Sequence, residues 1–348
     1  MTIEQPTHAV KKVRKQATGA YVFEDDLFTI TATGFCKIRS IIQFLESPFF
    51  SLKPSMEHLT YLSNDGMSSI VVTPSIYGLP TVWDKDFLVY LISHIQNQLD
   101  DPLCDFDRFS SNHRYRFEVI ELLRNIGRPP KRFSENSKLW NDMLIAGHRL
   151  RSSTIETTVK FGGNTVTSGS GFVQEFTLFH DGDTDKMYFI IHLTDWIYRA
   201  IMSERSREIL SLDSEYFSIP NGLKRRIYEI IRQKMGVYAT NGNQPRPYKK
   251  IRLEEFQLLT GSTTARITDF KAQIKEVFAQ EIKEKIDSDK KKQKYLSGYA
   301  FDFFHWTITV YKDHEGYMVS IVNPKRVAEL NKSSSKQLQI GMKHAQMP

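Results

Sequence analysis

Apolar residues along this chain recur either every second position or every three to four, in blocks set apart by polar turns, so the blocks can be read as elements in order. YLSNDGMSSIVVT (61–73) places Asn64, Asp65 and Gly66 between two β-prone runs and predicts a hairpin. DKDFLVYLISHIQNQL (84–99) has apolar residues at 87, 88, 91, 92 and 95 behind Asp84 as N-cap and Asp86 as first-turn acid, which predicts a buried helix. RYRFEVIELLRNIG (114–127) reads as a second helix ended by a glycine, and SKLWNDMLIAGHRL (137–150) as a third. STIETTVKF (153–161), GFVQEFTLF (171–179) and KMYFIIHL (186–193) then predict a small antiparallel sheet, with GGNTVTSGS as a flexible hairpin loop.

The order recurs without obvious identity of residues. NGLKRRIYEIIRQKMG (221–236), RLEEFQLLTG (252–261) and TTARITDFKAQIKEVFAQEI (263–282) read as three helices. FHWTITVY and YMVSIV follow as a hairpin across Lys312 to Gly316. Three helices and a small sheet, used twice, outline an α+β protein of two tandem winged-helix domains. The expected division is an N-terminal extension over 1–45 with a basic tail at 1–19, a first domain over 46–210, a second over 211–325, and a polar C-terminal tail over 326–348. The joint falls in SLDSEYFSIPNG (211–222), where Ser, Asp, Pro and Gly cluster. Trp140 and Phe270 are the expected buried anchors of the two third helices.

In the third helix of the second unit, Ile267, Phe270, Ile274, Val277 and Phe278 step by three and four residues into one apolar stripe. Thr264, Thr268, Lys271 and Lys275 make a second stripe roughly 100° round the axis. The preceding helix ends at Gly261, and Ser262 or Thr263 caps the next, the short turn of a helix-turn-helix. A recognition helix needs this division, one face anchored and the adjoining one carrying groups for phosphates and base edges. The candidate DNA contacts are therefore Thr263, Thr264, Arg266, Thr268, Lys271 and Lys275, with Arg225 and Arg226 from the first helix of the unit. The alternative is the ordinary solvated face of an amphipathic helix. In the first unit the stripe Leu139, Trp140, Met143, Leu144 and Leu150 leaves Lys138, Asn141 and Arg149 outside, with Arg128, Lys131, Arg132 and Arg151 at the helix ends.

Charge strengthens the nucleic-acid reading. The 348 residues carry a net +7, yet between 221 and 295 18 Lys and Arg face 9 Asp and Glu, so this stretch alone exceeds the surplus of the whole chain. At 40% apolar residues the chain can fill real cores. Cys36 and Cys104 make no disulfide framework or zinc motif, pointing to a reducing compartment. The N-terminus lacks an apolar signal region, and the most apolar stretch, 187–202, is interrupted by His192, Asp195 and Arg199, so neither secretion nor membrane insertion is expected. His192 and His305 read as packed or hydrogen-bonded, not as metal ligands. No HExxH, GxSxG, Walker A or His-hydrophobe-His motif is present, and neither catalysis nor a cofactor is expected.

SPFFSLKP (47–54), VTPSIYGLPTVWDKDFLVYLISHI (72–95), KLWNDMLIAGHRLRSSTIETTV (138–159), SEYFSIPNGLKRRIYEIIRQKMG (214–236) and LLTGSTTARITDFKAQI (258–274), in this order, resemble the replication initiator protein A family of plasmid initiators. The resemblance spans about 47–280. It implies a cytoplasmic protein that binds repeated double-stranded sites at a plasmid origin and recruits host replication proteins, a helicase or its loader. Related initiators bind their sites as monomers and repress their own synthesis as homodimers. Carried onto this chain, the recognition helices fall on Thr263 to Lys275 and Lys138 to Arg151. A transcriptional repressor built from the same modules is the rival expectation. The lysine-rich run over 280–295 leaves open whether the last helix continues past 282 or gives way to a basic loop.

Overall fold

The computed structural model describes residues 29–31, 37–63, 65–100, 113–128, 138–161, 163–202, 209–238, 244–286 and 298–332. The tail at 1–19, both cysteines, Lys131, Arg132 and the lysines between 287 and 297 lie outside the described residues.

The fold is α+β. Its first half contains β1 (Thr29–Thr31), β2 (Arg39–Ile41), α1 (Ile42–Glu46), β3 (Leu59–Leu62), β4 (Ser68–Thr73), α2 (Lys85–Leu99), β5 (Arg114–Glu118), α3 (Val119–Asn125), α4 (Lys138–Ser152), β6 (Thr154–Phe161), β7 (Asn164–Ser170), β8 (Val173–Asp181), β9 (Lys186–Leu193) and α5 (Asp195–Met202). Two separate sheets form here, β3-β4-β6-β7 and β1-β5-β9-β8. The three strands expected in one sheet are thus divided, because β6 pairs with β4 while β8 pairs with β9. The Gly- and Ser-rich run expected as a loop is strand β7, paired with β6 along its length.

Residues 114–118 correct the expected second helix. They form β5, in which Tyr115 and Phe117 are buried and their neighbours half-buried, a period of two that the helical spacing of Val119, Leu122 and Leu123 masks in the sequence. Asp84 stands at the N-cap of α2 without capping it. Its Oδ2 accepts instead from the Thr81 amide at 2.7 Å and the Thr81 hydroxyl at 2.9 Å.

The second half contains β10 (Ile209–Ser211), α6 (Gly222–Met235), the short pair β11 (Val237–Tyr238) and β12 (Gln244–Pro245), β13 (Tyr248–Arg252), α7 (Leu253–Thr260), α8 (Ile267–Val277), β14 (Ile282–Ile286), β15 (Gly298–Phe303), β16 (Trp306–Asp313) and β17 (Gly316–Val322). Its five-stranded antiparallel sheet runs β13-β17-β16-β15-β14. The last helix of the expected triad is shorter than its pattern, ending at Val277. Ile282–Ile286 form strand β14, so the helix does not continue past 282, and the rest of the lysine-rich run lies outside the described residues. Residues 324–332 form a further helix, so the expected polar tail begins inside a regular element.

Two apolar cores result. One gathers α2, α3, α4, β5, β9 and α5; the other gathers α6, α7, α8 and the inner face of the five-stranded sheet. Among the described residues, strand pairing and buried charges both tie the halves together. Strand β2, near the start of the first half, pairs antiparallel with β10, which opens the second. Helices α2 and α6 meet through buried charges, Lys85 with Glu229 and Asp86 with Arg225. The expected joint at 211–222 is packed between them: Tyr216 is fully buried and donates its hydroxyl to Glu229 Oε1 at 2.6 Å. No described helix is long and apolar enough to cross a membrane.

Candidate nucleic-acid interface

Helix α8 owes its placement to the turn before it. Helix α7 ends on Gly261, whose φ of +69° is the left-handed conformation that glycine adopts without strain, and the Gly261 amide returns to Leu258 O at 3.1 Å. The turn is held by side chains: the Ser262 and Thr264 hydroxyls bond each other at 2.9 Å, Thr264 Oγ1 reaches Gln273 Oε1 at 3.3 Å, and Gln257 Nε2 donates to Thr264 O. A Cβ built on Gly261 would lie 3.5 Å from Leu59 and Pro48, so this turn rests on the first half. Phe270, Ile274 and Phe278 then anchor α8 in the second core.

The helix begins at Ile267, later than its pattern predicts, and this redistributes the candidate contacts. Thr263 and Thr264 belong to the turn. Thr263 is exposed, while Thr264 is half-buried and spends its hydroxyl locally. Arg266 is the extended N-cap residue. Its side chain is 78% exposed, and Nε bonds Asp269 Oδ2 at 2.8 Å. Thr268 and Lys275 are exposed on the helix itself with Ala272 between them, and Lys271 lies half-buried on one flank. The opposite flank carries Asp269 and Glu276.

Lys271 reaches a residue that periodicity does not indicate. Its Nζ lies 5.0 Å from the ring centroid of Tyr317 on β17, and Lys312 Nζ on β16 lies 5.5 Å from the same ring. Lys312 and Tyr317 are cross-strand partners, and the Tyr299 hydroxyl donates to Lys271 O at 2.8 Å. Burial, with the Lys275 and Lys312 charges, pulls the Lys271 ammonium below the usual lysine range. The pairing of Lys312 with Tyr317 is legible from the hairpin turn; their approach to Lys271, more than 40 positions away, is not.

Helix α4 of the first half offers a second basic surface. Met143, Ala146, Gly147 and Leu150 face inward, a stripe rotated from the expected one, and Trp140 is only partly buried, which corrects its role as an anchor. Gly147 makes room for Phe176, whose ring would lie 2.5 Å from an added Cβ. Lys138, Asn141 and Arg151 are exposed. Arg149 turns back onto the protein, with Nε donating to Tyr77 O at 3.0 Å and Nη1 3.5 Å from Asp84. Arg128 is likewise engaged, by Asp86 and the Trp83 ring.

Arg225 and Arg226 require a correction, since both are fully buried and cannot face DNA. Arg225 pairs with Asp86, donates to Phe217 O and Ile219 O at 2.9 Å each, and stacks 4.5 Å from the Trp83 ring. Arg226 donates to Leu259 O at 2.9 Å, Phe44 O at 3.0 Å and Leu45 O at 3.1 Å, and meets Glu229 at 3.0 Å. Helix α6 runs between the two halves and is enclosed on several sides, so the Arg225-Arg226 pair, expected at a DNA surface, is interior wiring. Much of the remaining surplus is also neutralised locally, as in Lys224 with Glu281, Lys250 with Asp313, and Lys283 with Asp302.

Residues 41–282 match the family described as Replication initiator protein A. A protein of Wigglesworthia glossinidia brevipalpis named "Putative replication protein" is 28% identical over 229 residues, covering 65% of this chain and 75% of that protein. No solved structure matches the chain.

Proposed function

Because the chain belongs to the replication initiator protein A family, we propose that it starts plasmid replication by recognising repeated double-stranded sites at an origin and recruiting host replication proteins, a helicase or its loader. The observation that carries this reading is helix α8, anchored through Phe270 and Ile274, with Arg266 at its entrance and Thr268, Lys271 and Lys275 on its outer side. In this reading each half is a winged helix. The order α6, β13, α7, α8, β14, β15 supports it in the second half, as does the pairing of β14 with β15. In the first half α2, β5, α3, α4, β8 and β9 repeat that order, with the β6–β7 hairpin inserted after α4. A cytoplasmic location, homodimeric repression of its own synthesis and the absence of catalysis belong to the same proposal.

Footprinting on the flanking plasmid DNA, joined to replication of an origin plasmid with the protein supplied in trans, tests it. Protection of repeated sites together with plasmid maintenance is the expected result. Protection without maintenance identifies a repressor instead, and relaxation of supercoiled origin DNA in the presence of a divalent metal identifies a nicking enzyme.

A further inference from the structure

Lysines rarely gather unless something offsets their repulsion. Lys271 and Lys312 come from a helix and a hairpin far apart in sequence and converge on one tyrosine ring, with Lys275 one helical turn along. Among the described residues, no carboxylate lies within ion-pairing distance of Lys275 or Lys312, whereas Lys250 and Lys283 on the same sheet are both paired. The electron-rich face of Tyr317 offsets part of the repulsion. A bound anion would supply the rest.

The two flanks of α8 differ in sign, with Lys271 facing the hairpin and Asp269 and Glu276 on the far side. A polyanion lying on the exposed face is therefore attracted toward β16–β17 and repelled from the other edge. Lys275 and Lys312 are exposed and Lys271 is half-buried, and single ion pairs near the surface contribute little. The ligand the cluster fits is a polymer of phosphates held at many points, not one small anion.

Resting on the DNA-binding reading above, we propose that the β16–β17 hairpin is a second DNA-contacting element, in which Lys312 and Lys271, gathered on Tyr317 with Lys275 beside them, hold the phosphodiester backbone on the hairpin side of α8. Lys312 and Lys271 touch the phosphates. Tyr317 acts through them, as a positioning residue.

The test measures binding of the full-length protein to an origin duplex and a scrambled duplex by fluorescence anisotropy, across about 50–200 mM salt. Lys312→Ala should weaken both duplexes about two- to fivefold and leave their ratio unchanged. The log–log salt slope should fall by about 0.9, one phosphate contact. Lys312→Arg should restore the slope. A slope unchanged by Lys312→Ala overturns the proposal, and since Lys312 is exposed at a strand end, circular dichroism will confirm that the variant is folded. Competition by inorganic phosphate beyond that of chloride at equal ionic strength would reassign the cluster to small anions and overturn it too. Calorimetry in buffers of different ionisation enthalpy gives a readout that a structural role would not move: a phosphate raises the lowered Lys271 ammonium, so binding in alkaline buffer takes up protons, and Tyr317→Leu should diminish that uptake. If the wild type fails to distinguish origin from scrambled duplex but Lys312→Ala still lowers the slope, origin recognition fails while the phosphate contact stands.

Discussion

Lys85 of α2 and Glu229 of α6 form an ion pair across the two halves with both side chains wholly removed from solvent. Glu229 also accepts from Tyr216 and Arg226, so one carboxylate joins α2, α6 and the connecting segment. Removing one member leaves the other charge buried without its partner. Lys85→Met or Glu229→Gln should each cost about 3–5 kcal/mol, whereas the double variant Lys85→Met/Glu229→Leu should recover part of that loss. Chemical denaturation of the four proteins of the cycle measures it.

The same carboxylate gives an acid dependence of known sign. Burial pushes Glu229 up, but the Lys85 and Arg226 charges and the Lys85 and Tyr216 hydrogen bonds outweigh burial and leave it below its usual 4.5. The unfolded chain therefore binds the proton more readily. Stability from this group is fully present above pH 4.5 and is lost as pH falls through the lower folded value. Denaturation midpoints recorded below pH 4.5 should fall less steeply in Glu229→Gln than in the wild type.

Gly147 and Phe176 form a second coupled pair. An alanine methyl at 147 would lie 2.5 Å from Cδ2 and Cε2 of Phe176 and 2.8 Å from Cγ, so the ring has to move as a whole. Gly147→Ala should destabilise the first half by about 1–3 kcal/mol despite its gain in helix propensity. Phe176→Leu in the same chain should recover part of the loss, visible in thermal melts.

On α8 the contrast is between base and backbone. The Arg266 to Asp269 bond uses Nε, which leaves the two Nη groups as donors for guanine O6 and N7. Arg266→Ala should cost about 1–3 kcal/mol on the origin duplex and relax preference at one base. Lys275→Ala should weaken all duplexes equally and lower the salt slope by about 1. An unchanged ratio of origin to scrambled affinity in Arg266→Ala removes that residue from base reading.

What the sequence determined by itself is local. The three- and four-residue spacing of Phe270, Ile274 and Phe278 specifies the buried face of α8, Gly261 specifies where the preceding helix stops, and Asp313 to Gly316 specifies the last hairpin, because each depends on neighbours within a turn or two. Period-two burial of Tyr115 and Phe117 was present but outweighed by the helical spacing that follows it. The fates of the charges were decided only by tertiary structure. Arg225 and Arg226 on α6 and Lys271 and Lys275 on α8 are alike in composition and in helical setting, yet the first two are enclosed between α6 and the other half and the last two are not. Which carboxylate, carbonyl or aromatic ring meets a cation depends on segments tens to hundreds of residues away. Asp86 lies 139 positions from Arg225, and Phe44 lies 182 from Arg226. Periodicity is a property of one element, whereas the partner of a charge is a property of how the elements are packed together.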